Sequence, residues 1–137
     1  MEKKIQGSCL CGEVKYEFSG PIKVFQYCHC SRCQKFTGSA HASNIIIDPE
    51  QFQWLKGENA VGRFELPEVK HFATCFCTKC GSSLPWLTKS AKAVIVPAGT
   101  LDEDPMEKPK HNIYYSDKAS WYIDTSKLTK YDELPIK

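Results

Sequence analysis

The chain has 137 residues, 42% hydrophobic and 25% charged, the proportions of an average soluble protein with a single core. A formal net charge of +2, carried by scattered lysines, argues against a nucleic-acid surface. Met1 to Gln6 carry charge with no apolar stretch behind them, and the longest apolar run, Ala93 to Ala98, holds a proline and is too short to span a bilayer, so the expectation is a soluble cytoplasmic protein with neither secretory signal nor membrane contact.

Taken in chain order, Glu13 to Phe18 alternates polar and apolar and places Val14, Tyr16 and Phe18 on one face of a strand. Ser19-Gly20-Pro21 marks a turn, and Ile22 to Cys28 reads as a second strand. Ser31 is positioned to cap a helical turn through Lys35, which Thr37-Gly38-Ser39 breaks. His41 to Ile47 ends in three isoleucines and reads as a buried strand. Asp48-Pro49-Glu50-Gln51 has the chemistry of a helix start, so a brief helix carrying Phe52 and Trp54 is expected before Gly57. Val61 to Leu66 and Val69 to Phe76 form a hairpin about Pro67. Ser83 to Leu87, Ala93 to Val96 and Asn112 to Tyr115 are further short strands. Asp102-Glu103-Asp104 before Pro105 reads as a solvated turn, and Trp121, Tyr122, Leu128 and Tyr131 as anchors of a polar tail. The sum is one mainly-β domain of many short strands over residues 1–137.

Eight cysteines dominate the chemistry. They could form four disulfides in an oxidising compartment, whereas in a reducing cytosol they read as metal ligands. Spacing favours zinc, because a bridge between Cys9 and Cys11, or Cys28 and Cys30, would close a very small strained ring. Cys9-Leu10-Cys11-Gly12 and Cys77-Thr78-Lys79-Cys80-Gly81 both end on glycine, which takes the positive φ that a metal knuckle needs. Joined, these pairs supply four thiolates, a closed shell of structural type. Cys28-His29-Cys30-Ser31-Arg32-Cys33 then holds three sulfurs without an obligatory fourth, the pattern of a reactive zinc. A second structural site, completed by Cys75, His29, His41 or His71, stays open at this point. So does a ribbon of Cys30 and Cys33 with Cys77 and Cys80, although its gap exceeds ribbon spacing and it would orphan Cys9 and Cys11.

Gly7 to Tyr16, the Cys28–Cys33 segment followed by Thr37-Gly38-Ser39, Phe76 to Gly81, Ala98 to Asp102 and Ser120-Trp121 stand in a familiar order. In these motifs the chain resembles the glutathione-dependent formaldehyde-activating enzyme family, which also includes centromere protein V. The resemblance implies a β-tent fold, small sheets pinned at zinc knuckles. It further implies two zinc ions per chain: a structural one on Cys9, Cys11, Cys77 and Cys80, and a catalytic one on Cys28, Cys30 and Cys33. Cys75, two residues before the Cys77 knuckle, departs from the family pattern and reads as a free buried thiol or a residue of redox or ligand function.

A zinc with three thiolates has a net charge of about −1 and suits an incoming thiol that loses its proton on binding yet stays nucleophilic. The reaction implied by the resemblance joins glutathione or a similar thiol to an aldehyde such as formaldehyde, and its reverse is carbon–sulfur lysis. Arg32 and Lys35 could attract the thiol's carboxylates, Thr37, Ser39 and His41 are candidates for proton handling, and Phe36, Trp54 and Trp86 could wall a pocket. Each has an ordinary reading too, as solvated cations, structural polar groups and core aromatics. The other functional class is a zinc-stabilised binding or scaffold module without catalysis.

Overall fold

A computed structural model describes residues 3–135, leaving Met1, Glu2, Ile136 and Lys137 outside the described residues. In chain order the elements are β1 (Lys4–Ser8), β2 (Lys15–Ser19), β3 (Val24–Cys28), α1 (Ser31–Thr37), β4 (Ala42–Ile47), β5 (Phe52–Lys56), β6 (Val61–Glu65), β7 (Ala73–Cys77), β8 (Ser83–Leu84), β9 (Trp86–Leu87), β10 (Val94–Pro97) and β11 (His111–Ile113). They form three small sheets, ordered β1-β2-β5, β11-β3-β4-β10-β9 and β6-β7-β8. The mainly-β expectation is therefore met. All pairings are antiparallel except β11 on β3.

The first two sheets face each other across a core of Ile5, Tyr16, Phe18, Phe25, Ile45, Ile47, Val94 and Val96. Phe18, Ile45 and Ile47 are fully buried, worth about 1.5–3 kcal/mol apiece. A second cluster joins Cys9 and Val14 to Cys75, Cys77, Leu84, Trp86 and Ile95, so the third sheet packs against the start of the chain and the edge of the central sheet. Among the described residues no helix is long and apolar enough to cross a membrane.

Four local expectations change. Lys4–Ser8 is a strand that the sequence reading omitted, because a single buried apolar side chain, Ile5, leaves it without a clear alternation. Asp48 and Gln51 do form a capping box, but the turn ends after Pro49–Gln51 as a 3-10 turn. Phe52 and Trp54 then lie on β5, where they pair with Phe18 and Tyr16 and stack edge-on at 4.9 Å. Ser83–Leu87 is two strands in two sheets: Leu84 pairs with Cys75, Trp86 with Ile95, and the buried Pro85 makes the crossing. The acidic turn is exposed, as expected, and is tied to β1 as well: Ser8 donates to the Asp102 carboxylate at 2.8 Å and the Gln6 amide donates to Glu103 at 2.7 Å. In the tail, Trp121, Leu128 and Tyr131 are exposed and anchor nothing; Tyr122 alone of the four is half-buried.

Candidate metal centre

The sequence brings sulfur atoms together in two places. Cys9, Cys11, Cys77 and Cys80 have their four Sγ atoms within 4.8 Å of one another, as do Cys28, Cys30 and Cys33. All eight cysteines are free thiols. Cys9 Sγ lies 3.7 Å from Cys11 Sγ, and Cys11 Sγ 3.8 Å from Cys77 Sγ. A disulfide is far shorter, about 2.05 Å, whereas the edge of a ZnS4 tetrahedron with Zn–S near 2.3 Å is about 3.8 Å. The outer four therefore fit a tetrahedral thiophilic cation.

Their backbones show why. After each outer pair a glycine turns left-handed, φ 80° at Gly12 and 78° at Gly81, and its amide closes the loop onto the carbonyl of Cys9 or Cys77. The curl aims amides at sulfur: Val14 N–H donates to Cys9 Sγ at 3.2 Å, and Lys79 N–H to Cys77 Sγ at 3.4 Å. Ser82 links the two knuckles, its hydroxyl accepting from the Leu10 amide at 2.8 Å and lying 3.1 Å from Cys80 Sγ. That hydroxyl, followed by the N–H groups of Ser82 and Cys11, holds the Cys80 thiol down at about 5. Such donors orient and stabilise thiolate ligands.

The central three sit where β3 ends and α1 begins, all buried. The helix is capped by Cys30, whose sulfur accepts from the Cys33 amide at 3.3 Å, not by Ser31 as expected. Hydrogen bonds from Cys28 and Cys33 pull the Cys30 thiol far below its ordinary value, while the sulfur contacts push Cys28 and Cys33 up. Thiolates this close repel one another, and a thiophilic cation bound among them would offset that repulsion. Among the described residues no other His, Cys, Asp or Glu brings a ligand atom within 4.8 Å of all three.

None of the open candidates for a fourth ligand stands within that distance. Cys75 lies on β7 beside Arg63, with Nη1 at 3.9 Å from its sulfur and burial pushing its thiol up. His71 is exposed and bonds Ser90 at 3.0 Å. His29 turns Nε2 to Asn112 Oδ1 at 2.9 Å, and His41 stacks on Tyr27 with 4.2 Å between ring centres. The ribbon pairing fails because Cys30 and Cys33 belong to one cluster and Cys77 and Cys80 to the other.

A model of the glutathione-dependent formaldehyde-activating enzyme family matches residues 4–117. The chain belongs to this family. The family's description names glutathione and formaldehyde as the small molecules of the family's general chemistry. The fold is similar to a crystal structure of a Rhodobacter sphaeroides protein determined as a structural genomics target, with TM-score 0.57 and 20% identity over 76% of this chain and 97% of that one. No curated protein matches the chain significantly.

Other residues singled out in the sequence disperse. Thr37 donates its hydroxyl to the Cys33 carbonyl at 2.7 Å and accepts from the Ser39 amide, so both serve the end of α1. His41, pushed below its ordinary 6.5 by burial, lies 5.0 Å from His29 ring to ring. Trp86 is core. Trp54 lines a cavity of about 400 Å3 with Arg63 and Cys75, and Phe36 lines a different one beside α1. Around the trio the sequence reading missed Asn112, Tyr115, Tyr122 and Phe72. The two tyrosines meet the fully buried His29 edge-on, each about 5 Å away. The late-strand signal from Asn112 to Tyr115 and the reading of Tyr122 as a tail anchor hinted at three of these four residues, without placing them at the site.

Proposed function

We propose that the protein is a zinc-dependent enzyme that joins a thiol of the glutathione type to an aldehyde such as formaldehyde, and by reversal a carbon–sulfur lyase. In this reading Cys9, Cys11, Cys77 and Cys80 hold a structural zinc, and Cys28, Cys30 and Cys33 a second, reactive one. The observation that carries it is the buried three-sulfur cluster with no fourth protein ligand among the described residues. Membership of the family supports the same chemistry.

Bound at the trio, zinc supplies Lewis acidity that lowers the pKa of an added thiol while leaving it nucleophilic. The chain's own residues hold the three ligands: Cys33 N–H fixes Cys30, and the Gln34 side chain donates to the His29 carbonyl at 2.7 Å, locking the loop between the ligands. In the reaction the thiol sulfur forms a bond to the aldehyde carbon, the carbonyl π pair moves to oxygen, and that oxygen takes up the proton the thiol released. The product is an S-hydroxyalkyl thioether, with nothing oxidised or reduced.

Cys30→Ser is the informative variant, because serine is itself a good helix cap and keeps α1 while removing a ligand. Exchange spectroscopy with carbon-13-labelled formaldehyde and glutathione should show adduct exchange faster than the spontaneous rate in the zinc-loaded chain, falling to background in C30S. A fully zinc-loaded chain that stays at the spontaneous rate across several thiols and aldehydes would overturn the proposal.

A further inference from the structure

Beside the trio a cavity of about 420 Å3 opens between α1 and the β6–β7 hairpin. Arg32, Lys35 and Phe36 recur at helical spacing and line it from one side of α1. Across from them stand Phe64 and Thr74, register partners on β6 and β7, together with Phe72. Phe72 also packs against the cluster of Cys28, Cys30, Cys33 and Ala42, so cavity and trio share a wall.

Neither the size nor the lining matches formaldehyde alone. Two heavy atoms need roughly the space of one or two waters, about 30 Å3 each, whereas cavities of about 300–1,000 Å3 hold whole small molecules. Three phenylalanines make the walls apolar and aromatic. The charges beside them are both positive, and among the described residues neither Arg32 nor Lys35 has a carboxylate within 4.0 Å. Arg32 is preset: its Cζ lies 5.6 Å from the centre of the Phe72 ring, and its Nε is buried without a hydrogen-bond partner. A planar guanidinium held by a ring presents its donors as a fork for a carboxylate, and an unpaired buried N–H is the group such a ligand would satisfy.

Resting on the thiol–aldehyde reading above, we infer that this cavity takes an aldehyde bearing a carboxylate on an apolar, aryl-sized body, the carboxylate on Arg32 and Lys35 and the ring among the phenylalanines. The reaction is the same addition: the S–C bond forms, the carbonyl becomes C–OH, and the thiol's proton ends on that oxygen. Glutathione is the rival occupant, with two carboxylates but little apolar surface to match these walls.

The test is binding of para-toluate, which has the ring and the carboxylate but no aldehyde, to the zinc-loaded full chain by titration calorimetry. One site per chain is expected, weakened on the order of tenfold or more in Arg32→Gln and less in Lys35→Gln, with benzyl alcohol weaker than para-toluate and para-formylbenzoate competing for the site. Para-toluate binding no tighter than benzyl alcohol, or unaffected in Arg32→Gln of normal zinc content, would overturn the inference. So would displacement of para-toluate by glutathione alone. If Arg32→Gln does not fold, Lys35→Gln and Phe64→Ala, both at exposed positions, decide by the same measure: unchanged affinity in both overturns it. The two readings fail separately. A chain that converts formaldehyde yet ignores para-toluate loses the aryl acid only; one that binds para-toluate through Arg32 yet adds no thiol to any aldehyde loses the reaction.

Discussion

At Gly57 the backbone is left-handed, φ 78°, and an added Cβ would run into the carbonyl oxygen of Glu13. Gly57→Ala therefore combines backbone strain with a clash against main chain that cannot swing away. A loss of at least about 2 kcal/mol is expected in denaturant unfolding of the zinc-loaded protein. Gly12 and Gly81 have the same φ sign but open space around the missing Cβ, so alanine there should cost the strain alone, about 1–2 kcal/mol. A second effect at this scale concerns Glu17, buried on the outer side of β2. Donation from the Gln53 amide, outweighing burial and aided by Lys4, lowers its carboxyl below the ordinary 4.5. A folded-state value below the unfolded one means stability that is present above the unfolded pKa and lost as pH falls through the folded one. The stability difference between the native chain and Glu17→Gln should thus be flat at neutral pH and shrink below about pH 4.5. Subtracting the variant removes the acid sensitivity of the thiolate ligands, which both proteins share.

Among the elements, the outer knuckles act as a staple between the β1–β2 connection and the β7–β8 turn, positions 66 residues apart at Cys11 and Cys77. Losing that staple should free the first sheet from the third. Cys11 is exposed, so Cys11→Ser creates no core cavity and its effect reports the metal proposed there. Expected are one zinc per chain instead of two by metal analysis, and a melting temperature lowered by several degrees, on the scale of about 1–2 kcal/mol or more for a chain of this size. Both clusters were legible in the sequence because a knuckle is local: two sulfurs, a glycine and amides within a few residues. Which knuckles combine was not local, and the four-plus-three division rested on elimination and resemblance. Strands with a clear alternation, such as Lys15–Ser19, were equally legible, whereas Pro49–Gln51 has sound capping chemistry whose helix is cut short by the pairing of Phe52 with Phe18. The cavity beside α1 was illegible for the same reason. Arg32, Phe64 and Phe72 become neighbours only when the hairpin folds over the helix.

Across the whole molecule, the apolar signal of the tail is the most misleading part of the sequence. Trp121, Tyr122, Leu128 and Tyr131 suggest anchors, but Tyr122 alone of them is half-buried, and from Ile123 to Pro135 every described residue is exposed. Hydrophobic composition marks what a residue gains by burial; it does not say that a surface is available to bury it. The tail makes its contribution earlier. Ile113 packs on the trio's cluster, the Ile113 carbonyl accepts from the His29 amide at 3.0 Å, and Tyr115 and Tyr122 close over the His29 ring. Two truncations separate these halves. Ending the chain after Asp124 removes, among the described residues, exposed ones only, and should leave zinc content and melting temperature essentially unchanged. Ending it after Lys110 removes β11 and both tyrosines, uncovers the fully buried His29 between two of the sulfur ligands, and strips Asn112 from its Nε2. Burial of an aromatic ring and one hydrogen bond are lost together, a cost of about 2–4 kcal/mol. The shorter chain should therefore melt well below the longer one and lose zinc from the three-sulfur cluster first, read by metal analysis after mild chelation. Equal melting and equal zinc retention in the two truncations would show that the tail's inner half does not support the site.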